Sequence, residues 1–299
     1  MSPEGPQKSN ATRLPQWHRW LRRCFGAGAY PTLNRWLDPS RQYSQVVYAG
    51  LLPELVPSGS AWLDAGCGHQ VFKLGSARGE AEIVARTRLA IGCDLSWQSL
   101  RTHRTLKMRT CADLRWLPFM AETFDIVTLN YVAEHLEEPE KTFGELARLL
   151  RPEGTLVVVT PNSLGYFVRL TCLGRKFLPE SLVRKFILLR EFRSPEDVFP
   201  TFYRANTRDD LARHMERAGL KEVNFKMLKD PAAFNFIAPL AVLELLFGRL
   251  LSLLGFRNLV GGTIIGVYRK ACDCLDSSAQ RMDQVRSAGT LLRSAGGAQ

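Results

Sequence analysis

Paired cysteines, zinc-finger spacing and an unbroken membrane span are all missing from this sequence, and each absence narrows its class. The seven cysteines are odd in number and scattered through the 299 residues, which is not the spacing of a disulfide framework. A reducing compartment is therefore expected. Cys272 and Cys274 form the one close pair; a gap of one residue with no histidine nearby does not fit a zinc site. Residues 1–16 are polar and no apolar run follows the basic residues, so no signal peptide is expected. The longest apolar block, 236–256, has nearly the length of a span. However, Pro239, Glu244, Gly248 and Arg249 lie inside it, and each central charge costs about 2.5–3.5 kcal/mol on insertion scales. The block is expected to form a bent helical pair that packs on the core, covers an apolar substrate or dips into a membrane face.

What the chain does have is the composition of a core-forming globular protein, 45% hydrophobic and 23% charged. Its formal net charge of +11 is uneven: residues 1–45 carry seven Lys/Arg against two acids, and residues 163–193 carry seven against two. The charge thus belongs to two patches, which suit an anionic partner, whether membrane surface, phosphorylated substrate or nucleic acid. A cytoplasmic location is expected, with peripheral contact at the inner face of an anionic membrane left open.

Three regions follow from the pattern. Residues 1–40 form an N-terminal arm in which Trp17, Trp20, Leu21, Cys24 and Phe25 recur at helical spacing among arginines, an interfacial helix or a lid; Gly26, Gly28 and Pro31 end it. Residues 41–271 form the main domain, and 272–299 a Ser/Ala/Gly-rich disordered tail. The domain opens with a helix over 41–55, its packed side assigned to Val46, Val47, Ala49, Gly50 and Leu51. Strands are then expected at 61–65, 89–94, 108–113, 124–130, 155–162, 221–228 and 262–270. Helices are expected at 96–107, 139–150 and from 206 to about 219. A basic, aromatic, largely helical insertion at 163–205 and the apolar insertion at 231–261 interrupt the rhythm. Strands alternating with helices imply an α/β fold, a doubly wound, seven-stranded, mostly parallel sheet.

Asp64, Asp94 and Asp113 each fall at or just past the end of a strand. In such sheets ligands bind outside the carboxyl ends of the strands, so the three acids can rim one pocket. Gly66 and Gly68, spaced G-x-G after the first strand, permit a tight turn and close backbone approach to a ligand. An acid beside the second strand suits two ribose hydroxyls, and an acid by the glycine turn suits an ammonium group. The pattern favours a ligand that carries both, over a dinucleotide whose pyrophosphate repels carboxylates.

These motifs, DAGCG at 64–68, IGCDLS at 91–96, ADLRWLPF at 112–119, FDIVTLNYVAEHLEEP at 124–139 and LARLLRPEGTLVVVTPN at 146–162, resemble the class I S-adenosylmethionine (SAM)-dependent methyltransferases of the ubiquinone/menaquinone-type (type 11) group, with a Rossmann-like fold. The resemblance covers roughly residues 60–162, and 203–220 looks like the helix after the substrate insertion in related bacterial enzymes. It implies SAM as cofactor, with Asp64, Ala65, Gly66, Cys67 and Gly68 around the methionine part. Asp94 and Leu95 would meet the ribose, Asp113 and Leu114 the adenine, and Asn130 would line the pocket near the sulfonium. His135 is the candidate general base for a hydroxyl acceptor, since histidine titrates near neutrality. Glu134, His69 and Tyr43 are secondary candidates. Gln70 stands where the family has a third glycine, and the thirty residues from Asp64 to Asp94 exceed the family's usual separation. No metal is expected.

The activity implied is methyl transfer to a small-molecule, lipid-linked or glycan acceptor, at oxygen. A nicotinamide-dependent oxidoreductase would want Gly or Ala at Val71 and a helix directly after it. A nucleic-acid methyltransferase of the amino-methylating type would want paired prolines where Asn130-Tyr131-Val132-Ala133 stands, and no RNA-binding module is visible; nucleic acid is not expected as a partner. A non-catalytic SAM-fold binding protein is the remaining alternative. Oligomeric state is not legible.

Overall fold

The computed structural model describes residues 30–72, 77–177, 199–235 and 237–271. The basic helix expected from Trp17, the Cys272/Cys274 pair, the tail and the middle of the basic insertion (178–198) lie outside these residues.

Seven strands form one sheet in the order β3-β2-β1-β4-β5-β7-β6. They are β1 (Ala61–Ala65), β2 (Leu89–Asp94), β3 (Met108–Cys111), β4 (Phe124–Asn130), β5 (Leu150–Pro161), β6 (Leu220–Leu228) and β7 (Thr263–Lys270). The pairings β1–β2, β1–β4, β2–β3 and β4–β5 are parallel, and β7 runs antiparallel between β5 and β6. The expected seven-stranded, mostly parallel architecture is therefore present. A dinucleotide-binding sheet has the order 3-2-1-4-5-6; the reversed β7 wedged beside β5 departs from it.

Around the sheet lie α1 (Tyr30–Leu37), α2 (Ser44–Leu55), α3 (Ala77–Arg86), α4 (Trp97–Arg101), α5 (Pro139–Leu149), α6 (Tyr166–Phe177), α7 (Arg208–Arg217), α8 (Ala238–Leu253) and α9 (Arg257–Val260). Strand residues alternate between two cores, as the two-residue period requires. Leu63, Ala65 and Leu129 pack with Phe143, Leu146 and Leu211 of α5 and α7 on one face. Trp62, Ile126 and Val157 pack with Tyr48, Leu52, Ile83 and Leu100 of α2, α3 and α4 on the other.

Three expectations need correction. Helix α4 stops at Arg101 instead of continuing to 107, because His103 Nδ1 accepts from the backbone N–H groups of Thr105 and Leu106 at 3.3 and 3.1 Å and turns the chain. Pro31 sits in the first turn of α1, where a missing N–H costs nothing; the helix expected to end before it lies outside the described residues. Strand β5 begins at Leu150, with 152–154 carried in an irregular register against β4. Helix α2 buries Ser44, Gln45, Tyr48 and Leu52, while Val46 and Gly50 face solvent. It is apolar nearly all round, so periodicity did not choose its face; polar partners at the end of β4 did.

Candidate functional site

The glycine turn is built by sterics and closed by an acid. Gly66 and Gly68 adopt φ of +73° and +55°, the left-handed region that side chains resist. At Gly66 a Cβ would collide with the side chain of Val132, whereas at Gly68 it would meet nothing. The first glycine thus lets the turn lie against the segment after β4, and the second leaves an open surface. Gly66 N–H and Cys67 N–H donate to the Cys93 carbonyl at 2.7 and 3.0 Å. Asp94 accepts from Gly68 N–H at 2.9 Å through Oδ2 and from Ser96 N–H at 2.7 Å through Oδ1. A carboxylate offers about four acceptor positions, so this half-buried group ties the turn to β2 and retains capacity for hydroxyl donors. Ser96 also caps α4, accepting from Ser99 N–H.

Asp64 stands directly below the turn and is 3% exposed. The Thr128 hydroxyl donates to it at 2.7 Å while accepting from the Trp62 indole at 2.9 Å. Burial raises its carboxyl to about 7, the Thr128 hydrogen bond pulls it back, and the charges of Glu80 and Asp94 add to the rise. A cationic group placed beside this buried carboxyl would favour its ionised form. Its neighbours Cys67 and Cys93 are buried: burial pushes the Cys93 thiol up to about 12 and the Cys67 thiol higher still. Both remain protonated, so neither is a thiolate nucleophile.

Asp113 lies one strand further out. Its carboxylate binds the Arg115 guanidinium at 2.7–3.1 Å and accepts Arg115 N–H at 2.9 Å; the Arg115 hydrogen bonds hold it below the ordinary carboxylate range. Leu114 is buried and Leu95 is 65% exposed. The structure therefore brings Asp64, Gly66, Gly68 and Asp94 directly together, with Asp113 and Leu114 at the next strand end.

At the end of β4 the sequence left several partners unread. Asn130 exchanges amide hydrogen bonds with Gln45 of α2 at 2.8 and 3.1 Å and donates to the Val71 carbonyl. Tyr131, at φ +59°, reaches Ser44 Oγ at 2.7 Å and Thr263 Oγ1 at 3.0 Å. The N-terminus of α2 is thus a wall of the site, a role that only its polar residues Ser44 and Gln45 hinted at. His135 ends a short 3-10 turn, Ala133–His135. Its Nδ1 lies 2.7 Å from the Pro200 carbonyl; a carbonyl only accepts, so Nδ1 carries the proton and the neutral ring keeps its lone pair on Nε2. Glu134 points inward, accepting from Thr160 Oγ1, which in turn accepts from Asn206 Nδ2. This buried chain fastens the returning end of the insertion to β5. Cavities lie along α2 among the described residues. One is lined by Ala49, Pro53, Phe72 and residues of α3, another by residues between Gln42 and Leu51.

Strand order, glycine turn and strand-end acids define one class, and the comparisons agree with it: residues 63–158 match the family described as Methyltransferase domain, so the chain carries a class I SAM-dependent methyltransferase domain. It is 28% identical over 180 residues to a demethylmenaquinone methyltransferase of Mycobacterium sp. (strain KMS), covering 56% of this chain and 74% of that one. It is 32% identical over 129 residues to a malonyl-[acyl-carrier protein] O-methyltransferase of Methylovorus sp. (strain MP688), covering 38% and 40%. Among solved structures, geranyl diphosphate C-methyltransferase from Streptomyces coelicolor A3(2) is 15% identical, covering 76% of this chain and 79% of that chain, with a TM-score of 0.46.

Proposed function

We propose that this methyltransferase acts on an oxygen of an amphiphilic small-molecule, lipid-linked or glycan acceptor. SAM supplies an electrophilic methyl group on a sulfonium, a good leaving group. The residues of this chain then have to hold, orient and deprotonate. Gly66 and Gly68, flanked by Ala65 and Cys67, cradle the amino-acid part with Asp64 as the counter-charge to its ammonium. Asp94, with Leu95 beside it, takes the ribose hydroxyls. Asp113 and Leu114 border the base, and Asn130, held by Gln45, faces the sulfonium. Fixing donor and acceptor in line supplies much of the acceleration.

The oxygen assignment is carried by one observation: the Nδ1 proton of His135 is committed to the Pro200 carbonyl, which leaves the Nε2 lone pair, 3.9 Å from Glu134 Oε1, to accept a proton from a hydroxyl. One relative is itself named as an O-methyltransferase, which supports the same choice. Labelled SAM incubated with lipid and glycan extracts tests the acceptor class. With the acceptor in hand, His135→Ala should lower kcat about 10²–10⁴-fold, the usual contribution of a general base, and leave SAM affinity unchanged in calorimetry. Full activity in that variant would remove His135 from the chemistry.

A further inference from the structure

The strand direction puts α6, α8 and α9 at the carboxyl end of the sheet: α6 follows β5, and α8 and α9 join β6 to the start of β7, where Thr263 meets Tyr131. Helix α8 is apolar on two opposite sides. Ala241, Glu244, Leu245 and Gly248 are buried, and this side packs on α1 around Tyr30 and Ala232. Leu243, Leu246, Phe247, Leu250, Leu253 and Leu254 are all exposed, Leu253 by 79%. They recur at intervals of three and four residues, a single stripe facing away from the protein. Leu170 and Leu173 of α6 are exposed as well, and α6 is joined to α8 through Tyr166, which donates to Glu244 and stacks edge-on against Phe247.

An outward apolar stripe of this size marks an interaction surface, and its charge identifies the partner. The four helices α1, α6, α8 and α9 contain a single acid, Glu244, and it is buried. Their described exposed charges are Arg35, Arg169, Arg249 and Arg257. Leucine and phenylalanine flanked by arginine without exposed carboxylates is the composition of a helix lying in a lipid interface. Among the described residues no helix is long and apolar enough to cross a membrane. We propose that the outer stripe of α8, extended by α6, docks this chain onto an anionic bilayer surface, with the carboxyl end of the sheet turned toward the lipid. The proposal rests on the reading of an amphiphilic acceptor, which would then pass from the bilayer to the site without crossing water.

The full chain should float with vesicles of phosphatidylcholine and phosphatidylglycerol and bind pure phosphatidylcholine vesicles more weakly. The triple variant Leu246→Ser, Leu250→Ser, Leu253→Ser should lose at least about tenfold in partitioning. Arg249→Glu should lose binding to the anionic vesicles alone. Thermal unfolding and SAM calorimetry on each variant show whether the fold is retained. If wild type binds SAM but ignores anionic vesicles, or the triple variant binds them as well as wild type, the docking face is overturned and the methyltransferase reading stands. If vesicles bind but SAM does not, the methyltransferase reading fails and the docking face stands. A concentration-dependent dimer that the triple variant abolishes, with no vesicle binding, would assign the stripe to a second copy of the chain and overturn the proposal.

Discussion

The two glycines of the turn are not equivalent, and the difference is measurable. Gly66 is fixed by a positive φ and by the Val132 side chain, Gly68 by φ alone. Gly66→Ala should therefore cost about 2–3 kcal/mol and Gly68→Ala about 1 kcal/mol, read from urea unfolding. Equal costs would mean that Val132 yields freely. Asp64 gives a pH test. Its carboxyl rises from 3.8 to about 7 on folding, so between these values the folded state holds a proton that the unfolded chain has released. Stability must fall as pH rises through that window and level off above it. Asp64→Asn removes the ionisable group while leaving an acceptor for Thr128. Relative to wild type it should gain stability from pH 4 to 7, by a few kcal/mol in order of magnitude, and hold that gain at pH 8. A difference independent of pH would show that Asp64 ionises as an ordinary acid.

At the scale of elements, α8 is anchored by buried polar groups. Glu244 accepts from Tyr166 and from the N–H groups of Ala233 and Phe234 at 2.7 and 3.0 Å. Arg41 lies where a side chain at Gly248 would be, bonding Asp38 and the Asp230 carbonyl. Removing one partner strands the others, at about 1–3 kcal/mol per unsatisfied group. Glu244→Ala should thus loosen α8 and α6 ahead of the sheet, seen as faster amide exchange in 238–253 with β1 and β4 still protected. Uniform loosening of the sheet would place α8 in the cooperative core. Elements such as β1 and β2 were legible because buried apolar runs with an acid at the end are local signals, and β4 because its apolar run from Ile126 to Leu129 is nearly unbroken. The packed face of α2 was not, since Ser44 and Gln45 turn inward to meet Tyr131 and Asn130, the latter 85 residues away.

For the molecule as a whole, the site joins strand ends across the sheet, so ligand binding and folding should be linked. SAM at a hundred times its Kd should add about 2.7 kcal/mol to the unfolding free energy, visible as a rise in Tm. Asp94→Ala cuts the link from β2 to Gly68 and should abolish that rise. A shift as large as in wild type would remove Asp94 from the cofactor site.

The sequence alone determined the alternation of strands and helices, the strand ends at which Asp64 and Asp94 stand, and the glycine turn, because each depends on residues within one element or one turn. Only the tertiary structure decided that β7 runs antiparallel between β5 and β6, and that α2 walls the site through Gln45. It also decided that Glu134 is buried under Thr160 and Asn206, and that α8 keeps an apolar stripe facing outward. These features depend on pairings between residues far apart in the chain, where hydrogen-bond satisfaction and burial select among faces that periodicity leaves equal.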